Sequence, residues 1–429
     1  MKKIQKVRGT EDLLPKDIDK WYYIEDTFKE ICKNFGFSEI RTPMFELNEL
    51  FKRGVGETTD IVQKEMFNLE QRKISEDKKD EYLTLKPEGT APVVRSFIEN
   101  SLYSGSQPTK LFYDTPCFRY EKPQKGRLRQ FHQLGIEVLS SESAYTDAEV
   151  IGLGYSFFKK LGIDDKVQLK INSVGTIDSR KEYAIKLRDF YRPEFDKLCD
   201  NCKDRFDKNP MRILDCKERT CKDLSKNVPL ITESLDQESQ EHFENLQKYL
   251  NIMEIPYIID PFIVRGLDYY VKTAFEFVTD YIGSQSTVCG GGRYDGLVEQ
   301  LGGPSTPGIG FALGKERLLL LMETVGATFP EPDTLDLYFL ALGEAPKEIG
   351  AKIVKDLREE GFACEIDSLD RSMKAQLKFA NKLGSKYVAI LGENELENNT
   401  ITLKNMSDST QNTIGLDNFK SEFQTTIKR

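Results

Sequence analysis

The stretch Phe118 to Leu139, FRYEKPQKGRLRQFHQLGIEVL, predicts two β-strands joined by a basic loop. In the second strand, the two-residue period places Phe131, Gln133 and Glu137 around Gly135 on one face. The other face is the core face and consists of His132, Leu134, Ile136 and Val138. An aromatic ring, an amide and a carboxylate around a glycine are typical of a floor on which a polar ligand lies.

The residues before this strand extend the candidate site. In the first strand, Arg119 and Glu121 share one face, while Phe118 and Tyr120 take the other. The loop between the strands is positive through Lys122, Lys125, Arg127 and Arg129. We expect the loop to hold a polyanion. The alternative is a surface hairpin whose charges only face water.

Length and charge limit the class of protein. A single core stops growing at roughly 250–300 residues, so a chain of 429 residues predicts two or more domains. The net charge of −9, from 61 basic and 70 acidic residues, argues against a uniformly basic nucleic-acid-binding surface. No apolar run approaches the ~20 residues that span a bilayer, and the start MKKIQKVRG lacks the apolar segment of a signal peptide. We expect a soluble, cytoplasmic protein without a membrane partner.

The eight cysteines fall into two groups. Four are scattered singly, which is typical of a reducing compartment: Cys32, Cys117, Cys289 and Cys364. The other four form a C-x2-C pair and a C-x4-C pair: Cys199, Cys202, Cys216 and Cys221. Their spacing suits tetrahedral zinc, but they can equally be reduced thiols, so the metal stays unknown at this point.

The N-terminal third predicts a helix and a turn with polar side chains. Apolar spacing predicts an amphipathic helix from Asp19 to Phe35. The polar segment Glu70 to Glu81 predicts a solvated hairpin tip. In LTLKPEGTAPVV, a strand turns into a helix with Thr90 as its N-cap. Glu88 and Thr90 either clamp a ligand ammonium group or only cap the helix.

Three further segments carry candidate site residues. Arg265, in PFIVRGLDYY, either pairs with Asp268 or faces an anionic ligand. The glycines of CGGGRYDGL let the backbone pass close to a neighbour, although neither a P-loop nor a dinucleotide fingerprint is present. Arg317, in GIGFALGKERLLLLM, is either a surface arginine or a guanidinium aimed at phosphate.

The C-terminal part predicts a separate domain. Beyond the proline-rich boundary near Gly326 to Thr334, strands and helices alternate, which predicts a small α/β domain with a largely parallel sheet. Lys374, Lys378 and Lys382 share one helix face. That face is either a nucleic-acid footprint or an ordinary solvated surface.

Taken together, these segments resemble a known family. FRYEKPQKGRLRQFHQLGIE and GIGFALGKERL are similar to the second and third signature motifs of class II aminoacyl-tRNA synthetases, and IRTPMFE resembles the first. VRGLDYY and CGGGRYD resemble the two peptides that mark histidyl-tRNA synthetases. The resemblance runs from RGTEDLLP to the C-terminal α/β domain and is weakest in the helical segment that follows Asp178.

The resemblance implies an architecture. We expect an α+β catalytic domain built on an antiparallel sheet over residues 1–325, with an inserted helical subdomain at about 178–255. A linker at 326–334 and an anticodon-binding α/β domain at 335–429 would follow. The first motif, around Pro43, would contribute to a homodimer interface.

The resemblance also implies an activity: ATP and L-histidine form histidyl-adenylate and pyrophosphate, with Mg²⁺ present, and histidine is then transferred to the 3′ end of tRNA(His). A catalytically silent regulatory subunit of ATP phosphoribosyltransferase is one alternative. A class II synthetase for threonine, proline or glycine is another. The retained peptides argue against both, and the C-terminal domain argues against the regulatory subunit.

Roles follow residue by residue from the resemblance. The histidine amino group and neighbouring polar atoms would be held by Glu88, Thr90, Gln133 and Glu137. The imidazole pocket would be lined by Tyr270 and Tyr294. The catalytic arginines near the α-phosphate would be Arg119 and Arg265. The other ATP contacts would be Arg127 and Arg317 on the β- and γ-phosphates, Phe131 on adenine and Glu121 near the adenine amino group. The contacts to the tRNA acceptor end would come from Lys125 and Gln124. Of these, Gln124 could read the extra 5′ guanosine.

Overall fold

The computed structural model describes residues 3–56, 59, 61–69, 82–216, 218–264, 269–283 and 286–427. The chain divides into two compact units, Met1–Pro330 and Glu331–Arg429. The segment Glu70 to Glu81, for which we predict a hairpin tip, lies outside the described residues, and so do Arg265 and Asp268. Within the described part of the chain, every helix is too short or too polar to cross a bilayer.

The strands of the larger unit, in chain order over its described residues, are β1 (Ser38–Glu39), β2 (Phe45–Leu47), β3 (Phe67–Leu69), β4 (Leu83–Leu85), β5 (Thr109–Phe118), β6 (Gln130–Leu139), β7 (Gln168–Ser173), β8 (Ile258–Ile259), β9 (Val271–Val278), β10 (Thr287–Arg293) and β11 (Gly308–Gly314). Its α-helices are α1 (Pro15–Asn34), α2 (Asn48–Val55), α3 (Thr90–Glu99), α4 (Ala144–Lys160), α5 (Ile177–Tyr191), α6 (Asp200–Lys208), α7 (Arg219–Leu224), α8 (Gln237–Ile252), α9 (Leu297–Gln300) and α10 (Lys315–Thr324).

Eight of these strands form one sheet in the order β1-β5-β6-β11-β10-β9-β7-β8. The inner pairs are all antiparallel, and only the short edge strands β1 and β8 pair in parallel. The predicted antiparallel catalytic sheet is therefore confirmed. A small sheet, β2-β4-β3, lies beside it in the same unit.

One face of the large sheet is covered by helices. Phe28 of α1, Phe157 of α4 and Leu246 of α8 belong to a single buried cluster with Ile136 and Val138 of β6. The alternation predicted for β6 is confirmed on this side. The first helix begins at Pro15, earlier than predicted, because proline is favourable in the first turn of a helix.

The helical segment after β7 packs on a second cluster. Its buried residues include Tyr191, Phe206 and Leu214, and they share this cluster with Tyr270 and Tyr294. Helix α8, in contrast, packs with α4 in the core described above. The segment between α5 and α8 is therefore the part that adjoins the opposite face of the sheet.

The smaller unit contains strands β12 (Leu337–Ala341), β13 (Cys364–Ile366), β14 (Tyr387–Leu391), β15 (Thr400–Asn405) and β16 (Gln411–Gly415), and helices α11 (Glu344–Glu359), α12 (Met373–Lys382), α13 (Glu393–Glu397) and α14 (Phe419–Thr426). In the order β13-β12-β14-β15-β16, the first two pairs are parallel and the last two are antiparallel. The α/β class is confirmed. The prediction of a largely parallel sheet is wrong for β15 and β16.

Candidate active site

Strand β6 forms the floor of the candidate site. It pairs with β5 on one side and with β11 on the other, so that Gln133 lies between Thr115 and Gly314. The extent predicted for the first strand is wrong, since β5 ends at Phe118. Beyond it, the Tyr120 amide donates to the Glu65 carbonyl at 2.7 Å, and the chain leaves the sheet.

Above this floor lies a cavity of about 610 Å³. The predicted site residues that line it are Glu88, Thr90, Arg119, Glu121, Arg127, Phe131, Gln133, Glu137, Tyr270, Tyr294 and Arg317. The cavity runs along β6 from Phe131 to Glu137, seven residues that span about 20 Å of strand. A larger cleft of about 1250 Å³ shares Asp215, Cys216, Thr287 and Arg317 with it, but the side chains we predict for the site concentrate in the smaller cavity.

Glu137 marks one end of the cavity and is fully buried. The Tyr294 hydroxyl donates to its Oε2 at 2.5 Å, and the Tyr113 hydroxyl donates to its Oε1 at 3.2 Å. Burial raises the pKa of Glu137 to about 8. Sequence reasoning missed Tyr113, which lies opposite Gly135 across the β5–β6 pair. The signal that could have found it is the glycine itself, since a missing side chain in a strand leaves room for a large neighbour.

Glu88 has a local structural role at the same end. Its Oε2 accepts from the Thr90 amide and its Oε1 from the Ala91 amide, each at 2.8 Å, which satisfies the start of α3. Glu88 therefore makes capping contacts, and its role towards a ligand stays a prediction. The N-cap residue is Gly89 and not Thr90. Gln133 Oε1 accepts from the Gly89 amide at 3.0 Å and so ties this turn to β6. Burial raises the pKa of Glu88.

Two glycines near Glu137 lie where neighbouring atoms come too close for a side chain. A Cβ on Gly310 would lie 1.9 Å from Glu137 Oε2, and a Cβ on Gly291 would lie 2.3 Å from the Gly310 carbonyl oxygen. At contacts this short, neighbouring atoms must move before a side chain can fit. The backbone approach predicted for CGGGRYDGL is therefore confirmed, and the neighbour it passes is strand β11.

The other end of the cavity is positively charged. Arg119 donates from Nε to the Pro87 carbonyl at 2.9 Å, and its guanidinium lies 5.2 Å from the centre of the Phe131 ring. Arg127 forms an ion pair with Glu121. Arg317 donates to the Thr287 carbonyl at 2.7 Å. Burial lowers the pKa of Arg317, and the nearby Arg127 and Arg119 lower it further, so three guanidinium groups converge on one region.

In the loop between the two strands, the arginines contact neighbouring groups, whereas the lysines are exposed. Gln124 and Arg127 exchange backbone hydrogen bonds of 3.1 and 2.9 Å in a tight turn. The guanidinium of Arg129 packs 4.0 Å from the Tyr120 ring centre. Lys122 and Lys125, in contrast, are exposed. Gln124 and Lys125 line a neighbouring groove instead of the main cavity.

A buried ionic cluster supports the end of β10 and was not found from the sequence. Arg293 is fully buried and pairs with Asp147, and it also pairs with Asp295 at 2.9 Å. His242 Nε2 lies 2.8 Å from Asp147. Burial acts to raise the pKa of Asp147, but Arg293 and His242 together outweigh it and hold that pKa below its usual value. Arg293 thus has a structural role beside Tyr294.

Among the described residues, one group of side chains has the arrangement of a metal site. The four clustered cysteines bring their sulfur atoms together in the helical segment. In the main cavity, the Glu121 carboxylate pairs with Arg127, and Glu316 accepts from the backbone amide of His132 and contacts the His132 ring. These carboxylates are thus held by neighbours and do not form a preformed oxygen cage.

The antiparallel sheet, the cavity with converging arginines and the separate α/β unit agree with the class II aminoacyl-tRNA synthetase architecture that the motifs imply. Residues 9–189 and 193–318 match the histidyl-tRNA synthetase family, and residues 336–426 match the anticodon binding domain. The chain belongs to the histidyl-tRNA synthetase family.

Individual relatives agree with this assignment. The histidine–tRNA ligase of Clostridioides difficile (strain 630) is 53% identical over 403 residues, which is 94% of each chain. That of Thermoanaerobacter sp. (strain X514) is 52% identical and covers 94% of this chain and 95% of the relative. The crystal structure of apo Staphylococcus aureus histidyl-tRNA synthetase matches with a TM-score of 0.82 and 39% identity, over 98% of this chain and 100% of that one. The resemblance stated from the motifs is confirmed.

Proposed function

We propose that this protein is a histidine–tRNA ligase, which activates L-histidine with ATP and transfers it to tRNA(His). The observation that carries the proposal is one cavity that joins the buried Glu137–Tyr294 pair to a cluster of three arginines. A small amphoteric ligand fits the first end and a polyphosphate fits the second. Family membership and the sequence relatives support the same activity.

The carboxylate end would bind histidine. Glu88, Thr90, Gln133 and Glu137 would hold the amino group and neighbouring polar atoms, and Tyr270 and Tyr294 would line the imidazole pocket. Burial of these hydrogen-bonding groups supports specificity, because an analogue that leaves them unpaired is rejected by as much as ~10⁴–10⁵.

The arginine end would bind ATP. Phe131 would stack on adenine with Glu121 near its amino group, and Arg119 would contact the α-phosphate. Arg127 and Arg317 would contact the β- and γ-phosphates. Since Arg127 is paired with Glu121, phosphate binding would have to compete with that pair.

The first chemical step needs no nucleophile from the protein. The histidine carboxylate attacks the α-phosphorus in line, the bond to the bridging oxygen breaks, and pyrophosphate leaves. Arg119 would position the phosphate and stabilise the charge that grows on its oxygens. Arg265, which lies outside the described residues, would share this role.

Mg²⁺ would be bound mainly by the phosphates of ATP, because it keeps much of its water and the cavity carboxylates are already engaged. Bound there, it would neutralise charge on the leaving pyrophosphate.

The second step would use the tRNA. A ribose hydroxyl of the terminal adenosine attacks the adenylate carbonyl and releases AMP. The exposed Lys125 and Gln124 would contact the acceptor end, and the smaller unit would bind the anticodon. Exposure of Lys374, Lys378 and Lys382 along α12 supports a positive RNA-facing surface.

We also propose a homodimer and a cytoplasmic location. The small sheet near the first motif leaves large apolar side chains exposed, which is typical of an interface: Met44, Phe45, Leu47, Leu69 and Tyr82. The domain limits at 325 and 335, with an insertion at about 178–255, remain part of the proposal.

The direct test is ATP–pyrophosphate exchange measured with each of the twenty amino acids. We expect exchange with histidine alone. Exchange with none would favour the regulatory-subunit alternative, and exchange with threonine, proline or glycine would favour another class II synthetase. Arg265→Ala should reduce histidine-dependent exchange by orders of magnitude, whereas Arg192→Ala, at a largely exposed arginine, should not. Normal exchange in Arg265→Ala would remove Arg265 from the site.

A further inference from the structure

Four sulfur atoms meet beside the cavity in the helical segment between α5 and α8. The sulfur atoms of Cys199, Cys202, Cys216 and Cys221 all lie within 4.8 Å of one another. The Cys199 and Cys216 sulfurs are 3.8 Å apart. Tetrahedral zinc with Zn–S bonds of ≈ 2.3 Å places its sulfur ligands about 3.8 Å apart, so this separation is that of a zinc tetrathiolate.

The same geometry does not suit disulfides. An S–S bond is about 2.05 Å long, and all eight cysteines, each within the described residues, are free thiols. Three of the four clustered cysteines are buried, and Cys199 is partly buried. The pairing C-x2-C with C-x4-C gives two ligands from each of two chain segments, which is the usual construction of a structural zinc site.

Local structure aims the four side chains at one point. Cys199 immediately precedes α6, and Cys202 lies in its first turn. Cys221 lies in the short helix α7, and the Cys199 amide donates to its sulfur at 3.4 Å. Behind Cys221, its carbonyl accepts from the Ser225 hydroxyl at 2.8 Å, and Ser225 contacts the Tyr191 hydroxyl at 2.7 Å. Cys221 is therefore fixed by neighbouring hydrogen bonds, as is usual for metal ligands.

The two helices that carry cysteines are short and depend on tertiary contacts, which residues such as Phe206 and Leu214 make in the second buried cluster. Helix α6 has nine residues and α7 has six, lengths at which isolated helices are not stable in water. Small segments without a large core commonly depend on a metal or a disulfide.

We propose that these four cysteines bind one structural Zn²⁺, and that the ion fixes the wall of the main cavity. Helix α6 carries both Cys202 and Arg205, and Arg205 donates to the Arg212 carbonyl at 3.1 Å. Arg205 and Arg212 line the cavity together with Cys199 and Cys216. Zinc binding thus sets the position of two arginines that face the substrates. Zinc binding itself does not depend on the proposed function. The effect of zinc on the cavity arginines matters for activity only if the proposed function is correct.

The first test is the metal content of the wild-type protein. Purified under reducing conditions from zinc-supplemented cells, it should contain about one zinc per chain, as expected for a closed four-thiolate site. After exchange, Co²⁺ should give the intense visible bands of tetrahedral thiolate coordination. Three results would overturn the proposal. The protein could lack zinc and also fail to give the cobalt spectrum, it could contain iron instead, or mass spectrometry could find a disulfide between two of the cysteines.

The second test uses matched variants. Cys202→Ser/Cys221→Ser should lower the zinc content at least tenfold, because each segment loses one ligand. The control Cys32→Ala/Cys364→Ala removes two buried cysteines outside the cluster and should keep its zinc. Undiminished zinc in the serine variant would overturn the site. If that variant does not fold, the wild-type cobalt spectrum still decides the question. Zinc content is measured whether or not the protein charges tRNA, so failure of this proposal is distinct from failure of the proposed function.

Discussion

Replacing Glu137 with glutamine should stabilise the ligand-free protein above neutral pH while abolishing histidine activation. Glu137 is fully buried, and the groups that face it are the hydroxyls of Tyr294, Thr90 and Tyr113 and the carboxylate of Glu88. The three hydroxyls stabilise the charged form, but burial dominates and raises the pKa of Glu137 from 4.5 to about 8.

The sign and size of the effect follow from this shift. Because the pKa of Glu137 is higher in the folded than in the unfolded state, folding favours the protonated form. Its contribution to the free energy of unfolding is greatest below pH 4.5 and falls as the pH rises to about 8. The slope is about 1.4 kcal/mol per pH unit, so about 3 kcal/mol is lost between pH 5.5 and 7.5. Glutamine has no proton to lose and keeps a similar volume.

The assay is urea unfolding of the ligand-free protein at pH 5.5, 6.5 and 7.5, paired with histidine-dependent exchange. The difference in free energy of unfolding between Glu137→Gln and wild type should grow with pH by about 3 kcal/mol, and exchange should be lost. The control Glu182→Gln, at an exposed position on α5, should show neither effect. A difference that stays constant across this range would refute the buried, protonated carboxyl, and retained exchange would refute its role in binding histidine.

Further predictions concern the glycine contact, the arginine end and the smaller unit. Gly310→Ala places a Cβ against Glu137 Oε2 and the Ile136 carbonyl, so it should lower the free energy of unfolding by about 1–3 kcal/mol in urea and weaken histidine binding. Arg317→Gln removes a charged donor worth ≈ 1.5–3 kcal/mol, so the KM for ATP in exchange should rise about 10- to 100-fold while the KM for histidine changes little. Removing residues after Pro330 should leave exchange near normal and lower tRNA charging by orders of magnitude, and equal losses in both assays would contradict a separate anticodon role.

The polar face of β6 could be predicted from the sequence because strand alternation alone decides which side chains share a face. The contact of Glu137 with Tyr113 could not, since it depends on the pairing register of β5 with β6. The extent of β5 was misjudged for a related reason. The Arg119 amide still bonds to the Arg129 carbonyl, but the next residue bonds to Glu65, which is remote in sequence. Only the folded chain reveals that partner.

In the smaller unit, the length of a connection already indicates the direction of the strands that it joins. A parallel crossover needs a connection of a dozen or more residues, usually with a helix. Between β14 and β15 the chain has only eight residues, Gly392–Asn399, of which the helix α13 takes five. Connection length therefore requires the antiparallel pairing that is observed. The predicted alternation of strand and helix is confirmed, and the length of each connection decides whether the strands it joins are parallel.

Arg293 and Tyr294 show why a peptide that marks a family need not consist of ligand-binding residues. Neighbouring residues at the end of a strand point to opposite sides. Arg293 accordingly enters the buried cluster with Asp147 and Asp295, whereas the hydroxyl of Tyr294 reaches Glu137. Removing one partner of a buried ion pair costs about 3–5 kcal/mol, so this cluster fixes the end of β10 firmly. The charge of Arg293 thus supports the strand end, and the tyrosine beside it reaches the Glu137 carboxyl group at hydrogen-bonding distance.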